Sequence, residues 1–253
     1  MYDLPSYVWA LVLIGVIGIP ATTCLMLYRG AIAAGLGRRT AIVVATTTAA
    51  VLGGWLLASG LLARADVYHQ PSGQAAPWCG VAVAATLLGL LAATRIPVLA
   101  RILAAPGTPA RLALPHTLRV VGVTFLLVMA LGHLPAIFAL PAGLGDIAAG
   151  LAAPAAARRL AQGGGRTRAV WFNLFGILDL VVALSIGFLA GLGPWRPLEV
   201  TPSTEPLSLL PLALVPTVAV PLAIALHLVS LRRLRAAARP EGDRTGDLLP
   251  ASG

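Results

Sequence analysis

The 253-residue chain contains no lysine: all 18 of its basic residues are arginine, set against only 9 acidic residues. A retinal Schiff base needs a lysine amine, so the retinal-protein reading that a seven-helix chain invites fails on chemistry. Charged residues are 11% of the chain and apolar ones 58%, with a mean hydropathy of +0.89, which excludes an ordinary soluble domain and makes lipid the solvent for most of the sequence. There are only two cysteines. Cys24 stands near the inner end of the first apolar run and Cys79 at the outer end of another. A hydrocarbon core of about 30 Å between them, against the roughly 5.5 Å a disulfide spans, predicts no disulfide. No Cys or His pair has ligand spacing, so neither a metal site nor a cofactor is expected. The arginines follow no phosphate-clamping pattern, so the basic balance does not argue for nucleic acid. Residues 1–6 hold no basic residue, which predicts a retained first helix rather than a cleaved signal.

What is present is a series of apolar runs. Seven are long enough to cross a bilayer: 7–28, 41–63, 78–94, 120–140, 141–157, 169–191 and 207–231. The expected fold is all-α, a seven-transmembrane-helix bundle in one domain over residues 1–234, with a tight hairpin at Pro141 between the fourth and fifth spans. Residues 235–253, polar and rich in Gly and Pro, read as a disordered cytoplasmic tail. The stretch 95–119, interrupted by prolines, reads as an inner segment along the interface. With the N-terminus outside, sixteen of the eighteen arginines fall on inner segments and only Arg64 and Arg196 fall outside, so the positive-inside rule predicts N-out, C-in.

Within these spans each carboxylate needs a reason, since a mid-membrane charge costs roughly 2.5 to 3.5 kcal/mol on insertion scales. Asp179 lies near the middle of the sixth span, where Asn173, Gly176, Asp179, Ala183 and Gly187 share about 120° of helix face; that small, polar face is expected to look into the bundle. Asp146 falls on the side of Ala149, Gly150 and Ala153, opposite a Leu144, Ile147, Leu151 stripe. It is either an inward-facing group or the cap of a shorter helix at the outer interface. His133 comes out level with Asp146 across the Pro141 turn, which makes an Asp146–His133 pair geometrically easy and a plausible proton-binding element. Near the inner end stand His227 and Asn173, the histidine open to a plain interfacial reading. The five residues suggest a ladder: His133 and Asp146 outside, Asp179 central, Asn173 and His227 inside. In the seventh span, Pro211, Pro216 and Pro221 each remove a backbone hydrogen bond and free the carbonyl four residues earlier, which predicts a bent or partly unwound helix.

The stretches "GHLPAIFALPAGLGDIAAGLAAP", "WFNLFGILDLVVAL" and "LPLALVPTVAVPLAIALHLVSLRRL" resemble a group of bacterial multi-pass integral membrane proteins with no assigned activity, over roughly residues 119–234. The resemblance implies residence in the bacterial inner membrane and a site made by helices 4 to 7. It implies no reaction.

Three functions remain open on the residues. One is proton-linked transport or small-ligand binding, in which Asp179 and Asp146–His133 take a proton or a polar or cationic solute. Another is an intramembrane enzyme acting on an isoprenoid or lipid through a protonated Asp as general acid. The last is a non-catalytic membrane assembly partner. Expected partners are the lipid bilayer and a small polar or lipophilic ligand.

Overall fold

In a computed structural model the protein is described over residues 4–69, 77–192 and 197–237, and those residues form helices and turns with no strand among them. Six helices are long and apolar enough to cross a membrane, or seven if one bent pair counts as a single span.

The first two, α1 (Ser6–Ala33) and α2 (Gly37–Arg64), form a hairpin whose turn uses Gly35 and Gly37 at φ 69° and 77°, values a side chain resists. Next comes α3 (Trp78–Ala93), whose 16 residues rise only about 24 Å and fall short of a hydrocarbon core. Ile96, extended ahead of Pro97 as a pre-proline residue must be, turns the chain by 78° into α4 (Pro97–Ala104).

Here the structure departs from the expected boundaries. The following span is Thr108–Ala130, made of α5 (Thr108–Ala113), a 3₁₀ segment (Leu114–Gly122) and α6 (Val123–Ala130). Residues 108–119 of the stretch read as an interfacial inner segment therefore belong to a helical run long and apolar enough to cross a membrane. The expected hairpin at Pro141 is also displaced: the turn falls at 131–135, where Gly132 takes φ 80° and Pro135 precedes α7 (Ala136–Ala161). Pro141 and Pro154 both sit inside α7. Lipid-embedded helices tolerate proline because neighbours supply partners for the freed backbone groups, so a proline between two apolar runs does not by itself make a turn.

After α7 comes α8 (Arg166–Gly187), which continues through a π turn (Phe188–Leu192). The last span is broken where its prolines stand. A short 3₁₀ turn (Glu205–Ser208) is followed by a π turn (Val215–Ala219) carrying Pro216, and α9 (Val220–Ala236) begins with Pro221 in its first turn. Most of the tail expected to be disordered, 238–253, lies outside the described residues, while α9 extends to Ala236.

Burial shows how the spans are arranged. In the most apolar 18-residue stretch of Val215–Ala236, 83% is buried, against only 17% in that of Gly37–Arg64, so α9 is the axis of the bundle and α2 a peripheral helix. Around α9 pack α3, α5 and α8, while α7 packs against α8 and the 3₁₀ segment. The large apolar side chains left outside, among them Leu57, Leu61, Leu151 and Leu178, suit hydrocarbon.

The freed carbonyls find partners. Pro221 cannot donate to Thr217 O, and that oxygen instead accepts from Trp55 Nε1 at 3.0 Å and Thr86 Oγ1 at 3.4 Å. Beside it runs a chain of hydroxyls, Tyr68 to Ser59 at 3.2 Å, Ser59 to Thr217 at 2.7 Å and Thr217 to Ala213 O at 2.6 Å, which ties the end of α2 to the broken segment.

Candidate functional site

A nine-residue 3₁₀ run is unusual, and here its geometry carries a consequence. With three residues per turn, side chains at i, i+3 and i+6 eclipse. His116, Arg119 and Gly122 therefore form one column, and all three are buried. In an α-helix the same residues would fan over about 120° instead of eclipsing in one column.

Arg119 lies midway along Thr108–Ala130, with a side chain only 3% exposed. All three guanidinium nitrogens are used. Nε donates to Asp146 Oδ1 at 2.7 Å, Nη2 donates to Asp179 Oδ2, and Nη1 lies 3.2 Å from His227 Nε2. The Asp146 and Asp179 side chains are 15% and 7% exposed. One guanidinium thus bridges carboxylates from α7 and α8, and its fork geometry suits the pairing.

The network assigns the histidine tautomer. Arginine can only donate, so His227 Nε2 accepts and the ring is neutral with its proton on Nδ1. That proton goes to Asn173 Oδ1 at 2.9 Å, and Asn173 Nδ2 donates in turn to Ala169 O at 2.7 Å and Ser230 Oγ at 3.1 Å. A continuous polar chain leads from the two carboxylates through Arg119, His227 and Asn173 to Ser230. His116 stacks on His227 with centroids 3.7 Å apart, and Phe172 meets both rings edge-on. Among the described residues neither ring nitrogen of His116 has a hydrogen-bond partner.

Glycines make the convergence possible. A Cβ on Gly145 would fall on the Asp179 carboxylate, one on Gly176 would strike the His227 ring, and one on Gly122 would meet Asp146. Each polar side chain is seated against bare backbone of the adjoining helix.

Two small cavities flank the carboxylates. One, about 50 Å³, lies between α1, the 119–125 stretch and α9 and touches Asp146 and Arg119. The other, about 30 Å³, reaches from Asp146 and Asp179 past Gly187 to Leu192 and Leu207. Each has room for one or a few waters.

Of the residues singled out from the sequence, Asp146, Asp179, Asn173 and His227 come together in one site. His133 does not join them. It stands in the 131–135 turn, and Asp146 lies ten residues into α7, about 15 Å further along, so the expected Asp146–His133 pair is replaced by Asp146–Arg119. The helix-cap alternative for Asp146 also falls, since it sits well inside α7. The ladder collapses to one level: Asp146, Asp179 and His227 all contact Arg119. Nor is His227 an interfacial histidine, because it is fully buried.

Sequence reading missed Arg119 and His116. In the sequence Arg119 ends the expected inner segment 95–119 and enters only the orientation count. Its signal was the charge demand itself: two inward carboxylates need a cation at their depth, and "HTLRVVG" places Arg119 and His116 three residues apart within an apolar run.

The model of the domain of unknown function DUF8737 matches residues 76–235, more than half of the chain and every residue of this site. No curated protein and no solved structure matches the chain.

Proposed function

We propose, for a chain that belongs to the DUF8737 family, that it is a multi-pass membrane protein whose mid-bundle Arg119–Asp146–Asp179–His227 site binds a proton or a small cation, and that this loading drives transport or ligand binding. The observation that carries the reading is a charge imbalance. One guanidinium faces two carboxylates, so the site holds a formal charge of −1 when both are ionised, buried where an unbalanced charge is costly. One proton or one monovalent cation makes it neutral.

Three features support coupling to transport. Cavities reach the carboxylates from two sides. The polar chain through His227, Asn173 and Ser230 extends away from the carboxylates along α8 and α9. The central span is broken at Val215–Ala219, as the helices at many transporter sites are. On this reading the chain lies in a bacterial inner membrane, N-terminus outside, with its arginine-rich ends in the cytoplasm. Acid catalysis on a lipophilic substrate has less support, because the roomiest of the cavities described, at about 290 Å³, touches neither carboxylate.

The test is proton binding at the site. Infrared difference spectra of the reconstituted protein between low and high pH should show a protonated-carboxyl band that is lost or shifted in Asp179→Asn or Asp146→Asn. Proteoliposomes carrying a pH dye should show proton flux that Asp179→Asn abolishes. A spectrum with no titrating carboxyl, or flux unchanged in that variant, sinks the reading.

A further inference from the structure

We propose that a lateral cavity between α2 and α3, separate from the polar site, holds one acyl chain of an anionic phospholipid, with its phosphate at the arginine-bearing end. The cavity is about 290 Å³, the largest of those described, and is lined by residues such as Leu52, Leu90, Leu103, Leu222 and Leu226. It exists because α2 packs along α1 and touches the Val215–Ala219 turn but does not pack along α3. The slot therefore opens sideways, with exposed Val51 and Ile96 on its edge.

The chemistry of the walls selects the occupant. The lining is apolar except for four threonines, Thr23, Thr47, Thr48 and Thr94, and carries no charged or amide side chain. Thr23 and Thr94 already give their hydroxyls to carbonyls of their own helices, at 2.8 Å to Ile19 O and 2.6 Å to Leu91 O. The walls belong to the middle of α2 and α9, at hydrocarbon depth, so the species beside the opening is a lipid tail.

The charge lies at one end. Arg95 stands exposed between the lining residues Thr94 and Ile96. The 78° bend lays α4 beneath the cavity with Leu99 and Leu103 turned into it and Arg101 exposed. Among the described residues no carboxylate pairs with Arg95 or Arg101. A short helix with an apolar inner face and arginines at its margin matches a headgroup-level element, and unpaired arginines there complement a phosphate.

The experiment is native mass spectrometry of the full-length chain after incubation with phosphatidylglycerol or phosphatidylcholine of identical chains. Wild type should retain one phosphatidylglycerol per chain in preference to phosphatidylcholine. Ala93→Phe on α3 and Ala225→Phe on α9, which both fill the cavity, should lose it while melting no lower than wild type, because the space is free. Leu57→Phe on the lipid-facing side of α2 should retain it. Arg95→Gln with Arg101→Gln should lower phosphatidylglycerol retention on the order of tenfold, toward that of phosphatidylcholine. Absence of retained lipid, retention unaffected by both filling variants, or equal retention of the two lipids by wild type overturns the proposal. A collapse of fold in both filling variants does so as well, since it would mean that no space is free there.

Discussion

Replacing Arg119 with methionine removes the only cation that pairs with Asp146 and Asp179 among the described residues and takes the site from a formal charge of −1 to −2, with side chains 15% and 7% exposed. Breaking a buried ion pair by deleting one partner typically costs ~3–5 kcal/mol, because the remaining charge is left uncompensated. Arg119→Met should fall in that range. Asp179→Asn should behave quite differently. It deletes one charge-assisted hydrogen bond but brings the site to neutrality, one guanidinium with one carboxylate, so the net change should stay within about 1 kcal/mol. The triple variant Arg119→Met, Asp146→Asn, Asp179→Asn leaves no buried charge and should recover most of the Arg119→Met loss. The assay is reversible unfolding in mixed micelles at neutral pH, followed by helical content. Should Asp179→Asn cost as much as Arg119→Met, or should the triple variant be no better than the single, the charge-balance reasoning is wrong and the site is held by packing and hydrogen bonds instead.

Other expectations follow from neighbouring contacts. Gly145→Ala drives a Cβ into the Asp179 carboxylate and Gly176→Ala drives one into the His227 ring, so each should cost on the order of 1–3 kcal/mol by overpacking in the same unfolding assay. His116→Phe keeps the stack on His227 and removes two buried nitrogens without partners, so it should be neutral or stabilise by ~1 kcal/mol; a clear destabilisation would mean the imidazole is polar for a structural reason. Trp55→Phe removes the donor that serves Thr217 O and should cost ~1 kcal/mol, less any share that Thr86 takes up. At Tyr68, outside the spans, burial pushes the phenol above its usual value of 10, partly offset by its bond to Ser59. A group with a raised folded-state pKa contributes stability that is complete below the unfolded value and is lost as pH rises through the folded one. Stability should therefore fall in strongly alkaline solution, and Tyr68→Phe should remove that part of the fall.

Much of this was legible residue by residue. The mid-span carboxylates Asp146 and Asp179 are visible because a charge in an apolar run must be explained, and the small face of α8 with Asn173 and Gly176 tells which way Asp179 points, while Asp146 stays open between an inward group and a cap. The freed carbonyl below Pro221 was visible too, though not that Trp55, more than 150 residues away, would serve it. The expected Asp146–His133 pair does not form because it depends on where a turn falls. Pro141 looked like a corner between two apolar runs, and a displacement of the helix start by five residues moved Asp146 from the interface to mid-bundle.

Composition and periodicity alone determine that this chain carries apolar runs long enough to cross a membrane, and such runs are helical wherever backbone groups must be satisfied without water. They also point Asp179 into the bundle, while leaving Asp146 either inward-facing or a helix cap. What only the tertiary structure decided is which cation these carboxylates meet. Arg119 reads identically as a loop charge or a core charge until the chain continues helically from Thr108. It then reaches both carboxylates because a 3₁₀ segment stacks it under Gly122 and three glycines let four helices approach closely enough for one guanidinium to bridge them.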